Sequence, residues 1–206
     1  MNPNQVYVGI GVLALLSLGV ALMWFINSHE KDSELKNETV VAFGDSLISG
    51  EGASEGNDVV SLLERSLKRE IINLGVSGDT TEDGQRRIDA VLQEDPGLVI
   101  VLLGGNDALR RVPILETKEH LSAIIEALQA NGSKVILLGV QGGILNDPYR
   151  AMFASLQVEH NVILVPNILE GILTDGELMN DAIQPNDAGY ARIAPKIEAA
   201  IRPFID

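Results

Sequence analysis

"LVIVLLGGND", residues 98–107, decides how the rest of the chain is read. The first six positions are apolar without interruption and rich in β-branched side chains. A strand with one wet face alternates apolar and polar residues, whereas a strand covered on both faces does not. The run therefore predicts a fully buried strand. The glycine pair and the Asn-Asp pair that follow predict a turn at its carboxyl end.

Outward from this strand the same pattern recurs. "TVVAF" (39–43), "IINL" (71–74), "KVILLGV" (134–140) and "VILVP" (162–166) are further short apolar runs. Helical spacing fills the intervals. Residues 58–69 bring Val59, Leu62, Leu63 and Leu67 to one face, 82–94 form a weaker helical pattern, and 117–130 align Leu121, Ile124, Ile125 and Leu128 before Gly132. Pro148 opens a helix running to residue 160, and Tyr190, Ile193, Ala194, Ile197 and Ile201 mark the last one, with Pro195 as a candidate kink. Strands apolar on both faces, alternating with helices, predict a three-layer α/β/α domain. Its core is a flavodoxin-like, five-stranded parallel sheet.

Upstream lies "VYVGIGVLALLSLGVALMWFI", residues 6–26, apolar and uncharged. About 20 such residues at 1.5 Å each cross a hydrocarbon core, so a single N-terminal transmembrane helix is expected, with Trp24 near its interface. A cleaved signal peptide is the rival reading. Against it stand the length of the run, the lack of Lys or Arg in "MNPNQ", and the lack of a small-x-small cleavage site. The expected organisation is a membrane anchor over 1–27, a polar tether over 28–38 and an α/β domain over 39–206. Lys31 and Lys36 follow the span and no cation precedes it, a weak charge bias toward a cytoplasmic domain.

The chain carries 15 Lys and Arg against 29 Asp and Glu, a formal charge of −14, all of it beyond the apolar run. That balance argues against nucleic acid or anionic lipid as a partner of the domain. Without cysteine there is neither a disulfide nor a thiol nucleophile, and three widely spaced histidines argue against a histidine-rich metal site.

Ligands of such sheets bind outside the carboxyl ends of the strands. The segments found there are "GDSLISGEG" (44–52), "GVSGDTT" (75–81), "GGND" (104–107) and, after the fifth strand and a longer loop, "DAIQPND" (181–187). Ser46 is the candidate nucleophile, following a strand and opening a helix, although serine in that place also serves as a plain helix cap. Gly75 offers an unhindered N–H and Asn106 a side-chain amide. Each alone also reads as a turn residue. Together they supply a hydroxyl and three donors, counting the Ser46 N–H, aimed at one carbonyl oxygen. Asp45 and Asp107 read as loop-shaping acceptors and Thr80 and Thr81 as a helix cap. Asp79, Glu82 and Asp83 read as solvated charge.

With these residues in place, "GDSL" at 44–47, Gly75 in "NLGVSGDTT" and "GGND" at 104–107 resemble the first three sequence blocks of the SGNH, or GDSL, hydrolases. The likeness spans nearly all of 39–205. "GGNDALRRVP", "LEGIL" and "DGELMNDAIQPNDAGY" bring it closest to the arylesterase and lysophospholipase/thioesterase/protease branch. The resemblance implies a serine esterase or thioesterase acting on small acyl esters without metal or cofactor. It implies Ser46 as nucleophile, Gly75 and Asn106 in the oxyanion hole, and a final Asp-x-x-His segment holding orienting acid and general base. The family's export habit implies a periplasmic or extracellular domain on a single-pass anchor.

This chain departs from the pattern at the base. Asp181 fits the acid, but Gln184 stands at the histidine position. Histidine takes and returns a proton near neutral pH, and glutamine does neither. The expected geometry is an amide N–H to Asp181 and an amide oxygen accepting from Ser46. Three histidines are conceivable substitutes: His120, on the helix after "GGND"; His160, on the opposite rim; and His29, in the tether. Asp181 acting directly is a fourth route, weak for an ordinary carboxylate. The expected outcome is an impaired esterase. The alternative is a catalytically inactive, membrane-anchored binding protein on the same scaffold. The loops 50–57 and 141–148 are expected to shape the pocket.

Overall fold

The structure, a computed structural model, describes residues 35–141 and 148–205. The expected anchor at 6–26 and most of the tether lie outside the described residues, among which no helix is long and apolar enough to cross a membrane. The folded part takes in the end of the tether. Lys36 Nζ donates to Asn131 O at 2.7 Å and Asn37 Nδ2 to Asp95 O at 2.7 Å.

Five strands, β1 (Val40–Gly44), β2 (Ile72–Gly75), β3 (Leu98–Leu102), β4 (Lys134–Leu138) and β5 (Ile163–Val165), form one parallel sheet in the order β2-β1-β3-β4-β5. Every residue of β1 and β3 is buried, as their unbroken apolar runs require. Each large aliphatic side chain so placed contributes about 1.5–3 kcal/mol through removal from water. The edge strand β2 is half-exposed.

The helices are α1 (Ser46–Ser49), α2 (Val59–Leu67), α3 (Thr81–Arg86), α4 (Ile88–Gln93), α5 (Gly105–Arg110), α6 (Ile114–Ala130), α7 (Pro148–His160) and α8 (Asp187–Ile201). From β1 the chain steps one way to β2, then back across β1 to β3. Right-handed crossovers therefore fall on opposite faces of the sheet. α2 packs with α8 on one side, and α6 packs with α3 and α7 on the other. α8 continues through Pro195.

The single helix expected over 82–94 is two, α3 and α4, divided at Arg87. The division follows from what the Arg87 side chain does. It donates from Nη1 to Leu74 O and from Nη2 to Gly44 O, each at 2.8 Å, pairs through Nε with Asp79, and lies 4.3 Å over the Phe43 ring. The "GGND" segment, expected as a turn, opens the short helix α5.

Register sets up the site. Gly44 pairs with Gly75 on one side and Leu102 on the other, so β1, β2 and β3 end level. In this strand order the reversal of direction falls between β1 and β3, where parallel sheets leave a crevice.

Candidate active site

Ser46 is the first residue of α1 and is buried. Asp45 caps that helix, its carboxylate accepting from Leu47 N at 3.0 Å, as its loop-shaping reading requires. Burial pushes the Asp45 carboxyl up to about 7, with Asp79 and Asp107 adding repulsion and the Leu47 amide opposing. Ser46 N–H, at a helix start, has no intrahelical acceptor.

Asn106, in the first turn of α5, donates from Nδ2 to Asp79 O at 2.9 Å, leaving its second amide hydrogen for the crevice. Beneath it, Asp107 accepts from Thr81 N at 2.9 Å and Thr81 Oγ1 at 2.6 Å. Thr80 forms a capping box with Asp83. The loop after β2 is thus tied to the start of α5 from two sides.

Gly75 departs from the expectation. Its N–H donates to Asn73 Oδ1 at 2.9 Å and so is not free for an oxyanion. Its lack of a side chain serves another purpose, because a Cβ there would overlap the backbone of Ser49 and Ile48. Three residues on, Gly78 has φ +82°, and among the described residues its N–H meets no acceptor. It sits beside Asp79, whose carbonyl holds Asn106. The sequence signal for Gly78 is its place in a tight Ser-Gly-Asp turn, which a reading keyed to the first residue after the strand passes over.

The 181–187 loop brings position 184 to Ser46. Gln184 Nε2 lies 3.0 Å from Ser46 Oγ and 3.4 Å from Glu51 Oε2. The amide is therefore turned opposite to the expectation, with its donor facing both the serine and the Glu51 carboxylate. Gln184 Oε1 is buried without a partner among the described residues. Among the described residues Asp181 makes no hydrogen bond to the amide end of Gln184. Its Oδ1 accepts the backbone N–H of Ile183 at 2.7 Å and of Gln184 at 2.8 Å. These two bonds, that from Gln184 foremost, hold its carboxyl below the usual range. Asn186 caps α8.

Neither of the two described histidines takes the vacant role. His120 Nδ1 lies 3.3 Å from Thr81 Oγ1, and His160 Nε2 lies 2.6 Å from Ser122 Oγ. His29 is outside the described residues.

A cavity of about 720 Å³ opens beside Ser46 and Asn106, with a wall that includes Leu109, Val112, Ile114, Leu169, Leu173 and Ile183. Of the loops expected to shape it, 141–148 contributes Gln141 and Pro148. The 50–57 loop instead braces the base position. Ser54 N and Oγ both donate to Asp187 at 2.7 Å, and Gly52 sits against Gln184 and Pro185 too closely for a side chain.

A doubly wound sheet with a buried serine at the end of its first strand, an asparagine amide level with it and an apolar cavity alongside defines the class of single-domain α/β serine hydrolases. The chain belongs to the GDSL-like Lipase/Acylhydrolase family, whose pattern matches residues 42–192. It is 29% identical over 180 residues to Esterase TesA of Pseudomonas aeruginosa, covering 82% of this chain and 90% of that one. It is 29% identical over 178 residues to thioesterase 1/protease 1/lysophospholipase L1 of Escherichia coli, covering 82% and 86%. A crystal structure of TesA superposes with a TM-score of 0.76 at 29% identity, over 81% of this chain and 99% of that one.

Proposed function

We propose that this chain is a serine esterase or thioesterase of the SGNH type whose hydrolysis of acyl esters is impaired by Gln184. Ser46 Oγ is the nucleophile. The oxyanion donors are Ser46 N–H, the free amide hydrogen of Asn106 and Gly78 N–H. Gly78 takes the part expected of Gly75, whose N–H reaches the site only by releasing Asn73. Asp181 occupies the orienting position. The apolar cavity accepts the acyl chain, in keeping with the esterase and thioesterase names of the relatives.

The observation that carries the impairment is the Gln184 contact. Attack requires the Ser46 proton to leave as the carbonyl is engaged. Gln184 presents an N–H donor where an acceptor is needed, so it occupies a serine lone pair and removes no proton. Glu51, on the far side of that amide, favours this orientation because a carboxylate accepts and cannot donate. Residues 1–27 are assigned as a membrane anchor, 28–38 as a tether, and 39–206 as the esterase domain, outside the inner membrane.

The test is hydrolysis of a short-chain p-nitrophenyl ester by this chain and by Gln184→His, each with and without Ser46→Ala. Hydrolysis gained with histidine and lost with Ser46 supports a disabled hydrolase. Equal Ser46-dependent rates with and without histidine would expose another base. Silence in folded proteins of both kinds favours the inactive binding protein.

A further inference from the structure

We propose that Glu51, rather than Asp181, is the carboxylate that orients the side chain at position 184 toward Ser46. Glu51 is a positioning residue, acting on the nucleophile through position 184. Its effect on hydrolysis rests on the hydrolase reading above, whereas its effect on Gln184 does not.

The contacts divide between the two acids. Asp181 is spent on the loop backbone. Its Oδ1 accepts the N–H of Ile183 and of Gln184, and it hydrogen-bonds no side chain among the described residues. Glu51 is spent on the side chain. Gln184 Nε2 lies 3.0 Å from Ser46 Oγ and 3.4 Å from Glu51 Oε2, so its two hydrogens serve the nucleophile and the carboxylate together. Turned over, the amide would set Oε1 against Glu51, two acceptors facing each other. The observed direction leaves Oε1 buried without a partner among the described residues, a cost that the contact with a carboxylate offsets.

The Glu51 side chain is exposed, but its backbone is fixed to the site. Glu51 N donates to Ser46 O at 3.0 Å, so the residue hangs from the carbonyl of the nucleophile itself. The hydroxyl of Tyr190, a fully buried residue, donates to Glu51 O at 2.7 Å. Gly50 and Gly52 flank it with φ +88° and +89°, a left-handed pair that glycine adopts without strain. Gly52 in turn lies against Gln184. The turn that carries Glu51 therefore touches both Ser46 and position 184. An imidazole placed at 184 has a nitrogen for each neighbour, one to accept the Ser46 proton and one to donate to Glu51.

The first arm of the test needs no activity. The side-chain and backbone amides of Gln184 are followed by nitrogen–proton correlation spectroscopy of the full chain as its carboxylates are protonated. The side-chain pair is assigned by its loss in Gln184→Ala. One residue then reports on both acids, the side-chain amide on Glu51 and the backbone N–H on Asp181. Glu51→Gln is expected to abolish the pH-dependent shift of the side-chain pair and to keep that of the backbone N–H. Asp181→Asn is expected to do the opposite. Asp45 and Asp58, near the same Tyr190 hydroxyl, and Asp187, bound to Ser54, stay in place in both variants. A side-chain shift that survives Glu51→Gln and disappears in Asp181→Asn would overturn the inference, as would a side-chain pair indifferent to pH.

The second arm measures hydrolysis of the p-nitrophenyl ester in the Gln184→His background. Glu51→Gln is expected to lower kcat about a hundredfold with KM unchanged, less than the roughly 10⁴ lost when the buried carboxylate of a serine protease becomes an amide, because Glu51 is exposed. The acid limb of the pH–rate profile is expected to move to lower pH, since the imidazole loses a neighbouring negative charge. Asp181→Asn is expected to cost less. A larger loss of kcat in Asp181→Asn, with none in Glu51→Gln, would overturn the inference and leave the hydrolase reading standing. The expected amide shifts without hydrolysis by any variant would do the reverse.

Discussion

The ends of β1, β2 and β3 and the 181–187 loop meet at Ser46, yet they hold their residues by different means. The strand ends are set by sheet register, with Gly44 level with both Gly75 and Leu102, and are bound together by Arg87 and Asp107. The loop is a local construction. Asp181 accepts its own two following amides, Asn180 N donates to Gln184 O at 2.8 Å, and the 50–57 loop braces it through Asp187. None of those bonds uses the Gln184 side chain. Position 184 is therefore delivered to Ser46 whatever side chain it carries. The chemistry of the loop can be lost while its geometry persists. At the strand ends, by contrast, two of the three proposed oxyanion donors are main-chain N–H groups, so there geometry supplies much of the chemistry.

The largest effect expected from this contrast is at position 184. In a serine protease used as a reference, removing the catalytic histidine costs roughly 10⁶ in turnover. Gln184→His should recover several of those orders of magnitude, read as Ser46-dependent ester hydrolysis, because the backbone of the loop need not move. A gain below about tenfold would mean that the loop does not present an imidazole to Ser46. The strand-end half predicts a smaller loss in the same background. Asn106→Ala should lower kcat by about 10²–10³, the effect of deleting one oxyanion donor. If Asn106→Ala changed KM alone, Asn106 would be holding substrate in its ground state.

The sequence made the strand-end half legible and the loop half only in part. Unbroken runs such as "LVIVLL" admit few readings, and residues placed just after such strands must share a rim. That rule puts Ser46 and Asn106 on one rim, and both line the cavity. Gly75 was selected by the same rule, but strand ends do not report which N–H a side chain has already claimed, and Asn73 claims this one. Position 184 was found by motif, while the direction of its amide was not. That direction depends on Glu51, distant in sequence and brought near by the turn at Gly50–Gly52. The division of 82–94 is illegible in the sequence for a similar reason, since Arg87 reads as a helix surface residue until the carbonyls it reaches are in place.

A third effect separates the buried acid of the strand-end half from the exposed acid of the loop. The Asp45 carboxyl is raised from 3.8 to about 7 by burial, so the folded state keeps its proton where the unfolded state has lost it. Its contribution to stability is complete below the unfolded value and is lost as pH rises toward 7. At pH 8 the charge is buried and costs stability, whereas asparagine remains neutral throughout. The stability of Asp45→Asn relative to the parent should therefore grow between pH 5 and pH 8, on the order of 2–3 kcal/mol in urea unfolding. A difference independent of pH would show that Asp45 ionises normally. Asp181 is exposed and shifted downward, so Asp181→Asn should leave the relative stability flat across the same interval.

The smallest effect distinguishes the two glycines of the loop after β2. At Gly75 a methyl group would overlap the backbone of α1, which has no flexible end to yield. Gly75→Ala should destabilise the protein by about 1–3 kcal/mol, as overpacking does, and push α1 with Ser46 away from the sheet. At Gly78 the space is open, with Arg110 Nη2 at 3.8 Å as the nearest group, and the penalty is the left-handed backbone alone. Gly78→Ala should cost about 1 kcal/mol. It should nevertheless disturb hydrolysis in the Gln184→His background, because an alanine there pulls the turn away from Asn106. Greater loss of stability at Gly78 than at Gly75 would mean that the contact between β2 and α1 is not what holds Ser46 in register, and the contrast between the two halves of the site would lose its structural basis.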